Sequence, residues 1–184
     1  KLKKQHYRDI QNKQKMKKSY LLLCLLLISS ISFSQHNEKQ KIDSLNMALS
    51  HTKVDTLKIM ILNELSALYY YSDSKKSIEY CKKAFSFSKK IDYQRGIATS
   101  YNNFGVYYWL KADFPASINY NYKALQIFEN LNDEKGISKS NNGLGTIYVE
   151  FKNYKLALSC YNKALNASQK LKDRKSIATY LNNI

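Results

Sequence analysis

The chain predicts an all-α fold, an α-α superhelix of antiparallel helix pairs, and two observations carry that prediction. Ile97, Ile137 and Ile177 recur at a spacing of 40, as do Ala84, Ala124 and Ala164, and Ser77, Ser117 and Ala157 keep the same step. A fixed period of that length marks a solenoid whose units stack on one another, since one helix pair cannot bury its own apolar face. Each period also holds two runs of helical periodicity separated by capping residues.

The first run of the central unit places Ile97, Tyr101, Phe104 and Tyr108 at i, i+4, i+7 and i+11, one face of a helix. Gly105 lies beside that stripe, where a small side chain lets a neighbour approach. Asp113 then offers an N-cap and Pro115 falls in the first turn of the next helix, where its missing N–H costs nothing. The second run is Ile118, Tyr122, Leu125 and Phe128. The next unit repeats the scheme with Ile137, Asn141, Leu144, Gly145 and Tyr148, a turn at Lys152-Asn153, then Ala157, Tyr161 and Ala164. An earlier unit runs Leu62, Leu65, Ser66, Tyr69, Asp73, Ser77 and Ala84, and is one residue shorter at its turn, because Ser66 to Gly105 spans 39 whereas Ser77 to Ser117 spans 40.

These residues resemble the tetratricopeptide repeat. That family's pattern of a large residue, Leu-Gly, Tyr, Ala, aromatic and Ala reads here as Tyr101, Phe104-Gly105, Tyr108, Ser117, Asn121 and Ala124, then as Asn141, Leu144-Gly145, Tyr148, Ala157, Tyr161 and Ala164. The resemblance covers residues 53–184, as repeats 53–92, 93–132, 133–172 and a partial 173–184. Two departures stand out. The period is 40 rather than 34, so six extra residues should add about 9 Å of helix per repeat. The Pro that closes the family's repeat is missing, and the inter-repeat turns read Leu131-Asn132-Asp133 and Leu171-Lys172-Asp173. The long-period form is similar to the exported N-terminal sensor regions of bacterial signalling proteins of Bacteroidetes-like type.

Ahead of the array the sequence reads as an address. Lys17-Lys18 precede the apolar run Tyr20–Ile28, and Ser32-Phe33-Ser34 follow, which is the order of a signal peptide over 16–34 cleaved after Ser34. The apolar stretch from Tyr20 to Phe33 is 14 residues and broken by serines, short of the ~20 that a span needs. Residues 1–15 carry no Met and read as an upstream or non-native extension. Residues 35–52 form a capping helix, around Glu38 to Ser50 with Ile42, Leu45 and Leu49 on one face, and a linker. The array stops at Asn182-Asn183-Ile184, which matches Asn102-Asn103-Phe104, so the chain is expected to be a fragment of a longer protein. The expected location is the periplasm or cell envelope, with no membrane span left after signal removal.

The formal charge is +16; residues 1–18 contribute +7 of it, so the rest carries +9 and favours acidic partners. The lysines are scattered and no basic stripe interleaves with aromatics, so nucleic acid is not expected as a ligand. The histidines are His6, His36 and His51, all outside the repeats, and the five glycines sit at packing positions rather than in a phosphate loop. No catalytic, cofactor-binding or metal-binding set is read, and the chain is not expected to be an enzyme. Cys81 and Cys160 lie two repeats apart, with roughly 10 Å per stacked helix pair, too far for a disulfide.

In the tetratricopeptide family the first helices of successive repeats line a concave groove. Asn63, Asn102, Asn142 and Asn182 recur there, with Asn103 beside them, and side-chain amides could either hold a peptide backbone or bond to the adjacent repeat. Tyr70, Tyr71, Trp109 and Leu110 would line the groove farther along as aromatic anchors. One subclass clamps a C-terminal carboxylate; Asn103 and Lys139 match its Asn and Lys, but Asn63, Ala67 and Gly143 stand where it needs Lys, Asn and a cation, so the clamp is incomplete. The resemblance therefore implies a protein- or peptide-binding module, read as the sensing part of a histidine kinase or LuxR-type regulator. The alternative is a stand-alone exported scaffold for secretion or envelope assembly.

Overall fold

The computed structural model describes residues 37–184, so the extension 1–15 and the signal segment 16–34 lie outside the described residues. The chain divides into two compact units, Lys1–Ser44 and Leu45–Ile184. Helix α1 covers residues 37–51. Within the second unit Leu45 and Leu49 are half-buried, and Asn46 Oδ1 accepts a hydrogen bond from the Tyr80 hydroxyl at 3.4 Å.

The second unit is an α-α superhelix. Its helices are α2 (Asp55–Leu68), α3 (Ser74–Lys90), α4 (Gln94–Leu110), α5 (Phe114–Asn130), α6 (Glu134–Glu150), α7 (Tyr154–Lys170) and α8 (Arg174–Asn183). The four from α3's partner-completing pair onward, α4 to α7, are each 17 residues long, as is α3, which is the lengthening that the 40-residue period predicts. From α2 to α8 each helix packs on the next in sequence, and α4 also packs on both α2 and α6. These first helices of each pair are the closely spaced inner layer, and α3, α5 and α7 form the outer one.

Five three-residue turns are built alike. Asp92, Ala112, Asn132, Lys152 and Lys172 take left-handed backbone, with φ between 51° and 57°, at intervals of 20 residues. In each, the N–H of the left-handed residue and of its successor return to the two preceding helical carbonyls that lack a partner. Asn132 N–H donates to Glu129 O at 3.0 Å and Asp133 N–H to Phe128 O at 2.9 Å, a Schellman closure. In four of the five, all but the turn ending at Tyr93, the successor then caps the following helix with its side chain. Asp113, Asp133, Asn153 and Asp173 accept from the N–H of Ala116, Gly136, Leu156 and Ser176 at 3.1–3.2 Å. Such a cap contributes about 1 kcal/mol. The α2–α3 connection (69–73) has no left-handed residue, and it is where the repeat loses one position.

The core runs along the array. Ala98, Ala124 and Phe128 form one buried cluster, Leu125, Leu144 and Cys160 the next, and Ile137 packs against both. Glycines set how close the layers come. A Cβ on Gly145 would lie 2.6 Å from Cε1 of Tyr161, and one on Gly105 would lie 2.5 Å from Nδ2 of Asn121. Ser77 and Ser117, at one repeat position, tie outer to inner helix by donating to Ser66 O and Gly105 O at 2.9 and 2.7 Å. Ala157 holds that position in the third repeat. Ala164 is fully buried, as are Ala84 and Ala124. Tyr108 stacks on Tyr120 with ring centroids 5.3 Å apart, and Phe104 meets the same ring at 5.2 Å. In the third repeat Tyr148 has no such ring and its hydroxyl bonds the Tyr122 hydroxyl at 3.0 Å.

Cys81 and Cys160 are free buried thiols. Burial pushes the Cys81 thiol up to about 12, and raises Cys160 as well. Among the described residues no helix is long and apolar enough to cross a membrane, and no cluster of ligating side chains could hold a metal ion.

Candidate functional site

The recurring amides lie in mid-helix on the inner layer rather than near helix starts, and their bonds run between repeats. Asn63 is buried, and its Oδ1 accepts from Ser100 Oγ at 3.0 Å and Asn103 Nδ2 at 3.1 Å. Asn103, also buried, donates in addition to Asn63 O at 3.0 Å. Its Oδ1 accepts the hydroxyl of Tyr70. One repeat on, Asn102 Oδ1 accepts from Ser140 Oγ at 2.9 Å, and one further, Asn142 Oδ1 accepts from Asn183 Nδ2 at 3.0 Å. Buried amides left unbonded would cost about 1–3 kcal/mol each, so the inter-repeat ladder is where they belong. Of the two roles open to them in the sequence, Asn63 and Asn103 hold repeats together. Asn102 and Asn142 are half-buried and Asn182 is exposed.

The aromatic anchors separate likewise. Tyr70 is half-buried and committed to Asn103; burial pushes its hydroxyl well above the ordinary range, with Cys81 and Tyr71 adding to the effect. Tyr71 is 80% exposed and Leu110 is at the surface. Tyr71 and Trp109 line one pocket of about 160 Å³, together with Gly105, Asn121, Asn142 and Gly143. Trp109 is half-buried, yet its Nε1–H is shielded from solvent with no acceptor among the described residues. Lys139 is exposed; desolvation by surrounding protein lowers its pKa and Lys135 adds to that, while Glu64, Asp133 and Asp173 oppose it. With Asn103 buried in the ladder, Asn103 and Lys139 do not form a pair of carboxylate-binding groups.

The sequence placed Asn121 at a repeat position and Gly143 at a departure from the clamp pattern, but assigned neither to the groove lining, and both shape the pocket. Asn121 comes from the outer helix α5, and its Nδ2 donates to Ser117 O at 2.8 Å. Its amide fills the gap between α4 and α6, because a Cβ on Gly105 would meet Nδ2 and one on Gly143 would meet Oδ1, each at 2.5 Å. The signal was present: Asn121 stands where the next repeat has Tyr161, and Gly143 where the flanking repeats have Asn103 and Asn183. Asn121 is the reduced position of repeat 93–132 and Gly143 that of repeat 133–172, and the pocket opens where the two meet.

Compared with protein-family models and with curated proteins, the chain matches none. Among solved structures it is similar to BtubC (BKLC) from P. vanneervenii, with 20% identity and a TM-score of 0.63 over 82% of this chain and 65% of that one. It thus spans a little under two-thirds of that protein's length. A second similarity is to the N-terminal domain of stress-induced protein-1 (STI-1) from C. elegans, with 18% identity and a TM-score of 0.49 over 72% of this chain and 98% of that one. What the chain shares with the first of these is the fold, and the class it defines is the helical repeat protein, an α-α superhelix.

Proposed function

We propose that this array binds a protein or peptide along its inner layer, in the manner of a tetratricopeptide module. The observation that carries the reading is the pocket between Trp109 and Gly143, an aromatic-walled recess on the layer that successive repeats make continuous. Large, rigid aromatic anchors dominate the energetics of such surfaces. The charge of +9 that remains beyond residue 18 favours an acidic partner and a fast encounter.

The sequence of 16–34 supports an exported protein acting in the periplasm or envelope, as the sensing part of a bacterial signal-transduction protein. Reading the gene past Ile184 tests that role. A run of about 20 apolar residues followed by a kinase or DNA-binding domain is the expected result; a stop after one or two more repeats would instead make the protein a scaffold.

Binding is tested with peptides selected from a random library on the immobilised chain. Their affinity should fall at least about 30-fold in Trp109→Ala, equivalent to about 2 kcal/mol. It should respond to Lys82→Glu with Lys83→Glu, on the outer helix α3, only through the association rate and its salt dependence. Peptides that keep full affinity for Trp109→Ala but lose it at every salt concentration in the lysine variant would place the site on the outer layer.

A further inference from the structure

The pocket lies where an inner helix, its outer partner and the next inner helix meet, and the same junction recurs on either side of it. The residues at equivalent positions are Ser66, Cys81 and Asn103 at the first junction, Gly105, Asn121 and Gly143 at the second, and Gly145, Tyr161 and Asn183 at the third. At the third, the Tyr161 ring packs on Gly145, is only 5% exposed, and its hydroxyl donates to Thr146 Oγ1 at 3.4 Å. At the second, two glycines and a short amide stand in those places, and about 160 Å³ is open. A cavity of roughly 150 Å³ accommodates a benzene ring. Tyr71, largely exposed, lines the recess as well.

One acceptor in this recess is unused. Asn121 is 4% exposed, and its amide is fixed by Nδ2 donating to Ser117 O at 2.8 Å, which turns Oδ1 toward Gly143. That oxygen accepts no hydrogen bond, yet it is not sealed off: among the described residues the shielded, unbonded side-chain polar atom is Trp109 Nε1. A buried residue whose oxygen keeps access to solvent must open into the recess that it lines. Val106, Ile147 and Trp109 make much of the remaining wall apolar. The recess therefore suits a flat apolar ring with one donor at its edge. The chain makes the same pairing internally, where the Tyr70 hydroxyl donates to Asn103 Oδ1.

Charge sets what flanks that ring. On α6, Lys135, Lys139 and Asn142 follow at i, i+4 and i+7, so both lysines share a face with the pocket-lining Asn142, about 10 Å and about 5 Å along the axis from it. Both are exposed. Of the carboxylates near Lys139, which include Glu64, Asp133 is held by Arg95 at 2.9 Å and by the N–H of Gly136, and Asp173 by Ser176. We infer that the pocket receives the side chain of a tyrosine carried on an acidic stretch of polypeptide: the ring fills the recess, its hydroxyl donates to Asn121 Oδ1, and carboxylates within about three residues of it, at ~3.4 Å per residue, meet Lys139 and Lys135. The inference rests on the groove-binding reading and names the residue that its central subsite selects. Phenylalanine or an aliphatic side chain would seal Oδ1 without a donor, and a lysine would bring its donor with a charge that Lys135 and Lys139 repel.

The experiment follows the backbone amide resonances of Gly105 and Gly143, two of five glycines, in the ¹⁵N-labelled full chain. p-Cresol should shift both saturably, with Kd on the order of 1 mM. Toluene, the same ring without the hydroxyl, should bind about fivefold more weakly. Asn121→Leu keeps the volume and removes the acceptor, and should bring the two probes to equal affinity. Asn121→Tyr fills the recess as Tyr161 does and should abolish both responses; should it fail to fold, Gly143→Asn, the residue of both flanking junctions, must abolish them instead. Peptides address the polypeptide source. Acetyl-Glu-Glu-Tyr-Glu-Glu-amide should bind about fivefold or more tighter than its Phe counterpart. Its advantage over acetyl-Gln-Gln-Tyr-Gln-Gln-amide should vanish in Lys135→Gln with Lys139→Gln. No saturable p-cresol shift, equal affinity for toluene in the native chain, a filled variant that still responds, equal binding of the Tyr and Phe peptides, or an acidic preference that survives the lysine variant overturns the inference. Saturable p-cresol binding with no peptide binding overturns it too, in favour of a free phenol. Library peptides that require Trp109 but show no tyrosine preference would leave groove binding standing while the tyrosine subsite falls.

Discussion

A Cβ on Gly136 would lie 2.1 Å from Cδ1 of Phe128, against the flat of a ring that is itself 97% shielded from solvent. Phe128 belongs to the core cluster with Ala98 and Ala124 and cannot swing away without opening it. Gly136→Ala should therefore destabilise the array by about 2–3 kcal/mol, the upper part of the usual range for overpacking. Gly105→Ala meets only the tip of Asn121, beside open space, and should cost about 1 kcal/mol or less. Urea denaturation of the two variants measures the difference; equal midpoints would contradict this packing.

The left-handed turn at Ala112, φ 57°, is occupied by a residue with a Cβ. That conformation costs an L-residue about 1–2 kcal/mol, while glycine adds about 0.5–1 kcal/mol of unfolded-state entropy. Ala112→Gly should raise stability by about 0.5–1 kcal/mol. Asn132→Gly should change it little, because Asn tolerates this region. A loss of stability in Ala112→Gly would show that the turn is not left-handed.

Thiol chemistry reads out burial. With its pKa pushed up to about 12, Cys81 is protonated at pH 8 and its sulfur donates to Ser100 O at 3.3 Å. A disulfide reagent at pH 8 should leave Cys81 unmodified in the folded Cys160→Ser, Cys24→Ser variant and label it promptly in 6 M guanidinium, since the thiolate is the reactive form. Prompt labelling of the folded chain would count against the α3–α4 packing.

The Tyr122–Tyr148 pair gives a pH signature. Donating its hydroxyl hydrogen to Tyr122, and then desolvation, raises Tyr148 to about 12. A phenol whose folded pKa is raised favours folding fully below its unfolded value near 10. That contribution is lost as pH rises through the interval from about 10 to about 12. Tyr122→Phe should bring the ionisation of Tyr148 back down, measured as an earlier rise in absorbance at the tyrosinate band, and should flatten the loss of stability above pH 10. An unchanged titration would exclude the hydroxyl contact.

Acid acts on the caps. Asp173 is held below the ordinary carboxylate range by hydrogen bonds from the side chain and backbone of Ser176, and Asp73 by the backbone N–H of Lys76. A lowered folded pKa means that their contribution is complete above the unfolded value near 3.9 and is lost as pH falls through the folded one. Urea midpoints should fall on acidification below about pH 4, and less steeply in the double variant Asp73→Asn, Asp173→Asn, whose amides cap without titrating. Identical acid profiles would mean that the caps do not carry this dependence.

Much of this architecture was legible because the repeat is written in small, recurrent devices. Asp113 with Pro115, the turns Leu131-Asn132-Asp133 and Leu171-Lys172-Asp173, and the Gly145–Tyr161 packing all follow from local chemistry that a sequence displays. The shorter first unit showed as a register of 39, and the structure locates it in the turn 69–73. The functional surface was less legible. The amides at 63 and 103 were equally compatible with a ligand and with a neighbouring repeat, since an Asn side chain bonds either; only burial separates the two. Tyr70 and Trp109 looked alike as anchors, yet one is satisfied by Asn103 and the other is not. The pocket arises from what Asn121 and Gly143 lack relative to their counterparts, and a deficit becomes visible only once the repeats are superposed in space.

The 20-residue pulse of left-handed turns has an evolutionary consequence. Every turn reverses the chain and exchanges inner for outer layer, so a duplication or loss of one helix with its turn would present each following helix to the wrong side and put the glycines against solvent. A change of two helices restores the phase. Arrays of this kind can therefore lengthen or contract in quanta of 40 residues, and the interruption at 69–73 shows that a single-residue slip is absorbed where the connection does not use the left-handed closure.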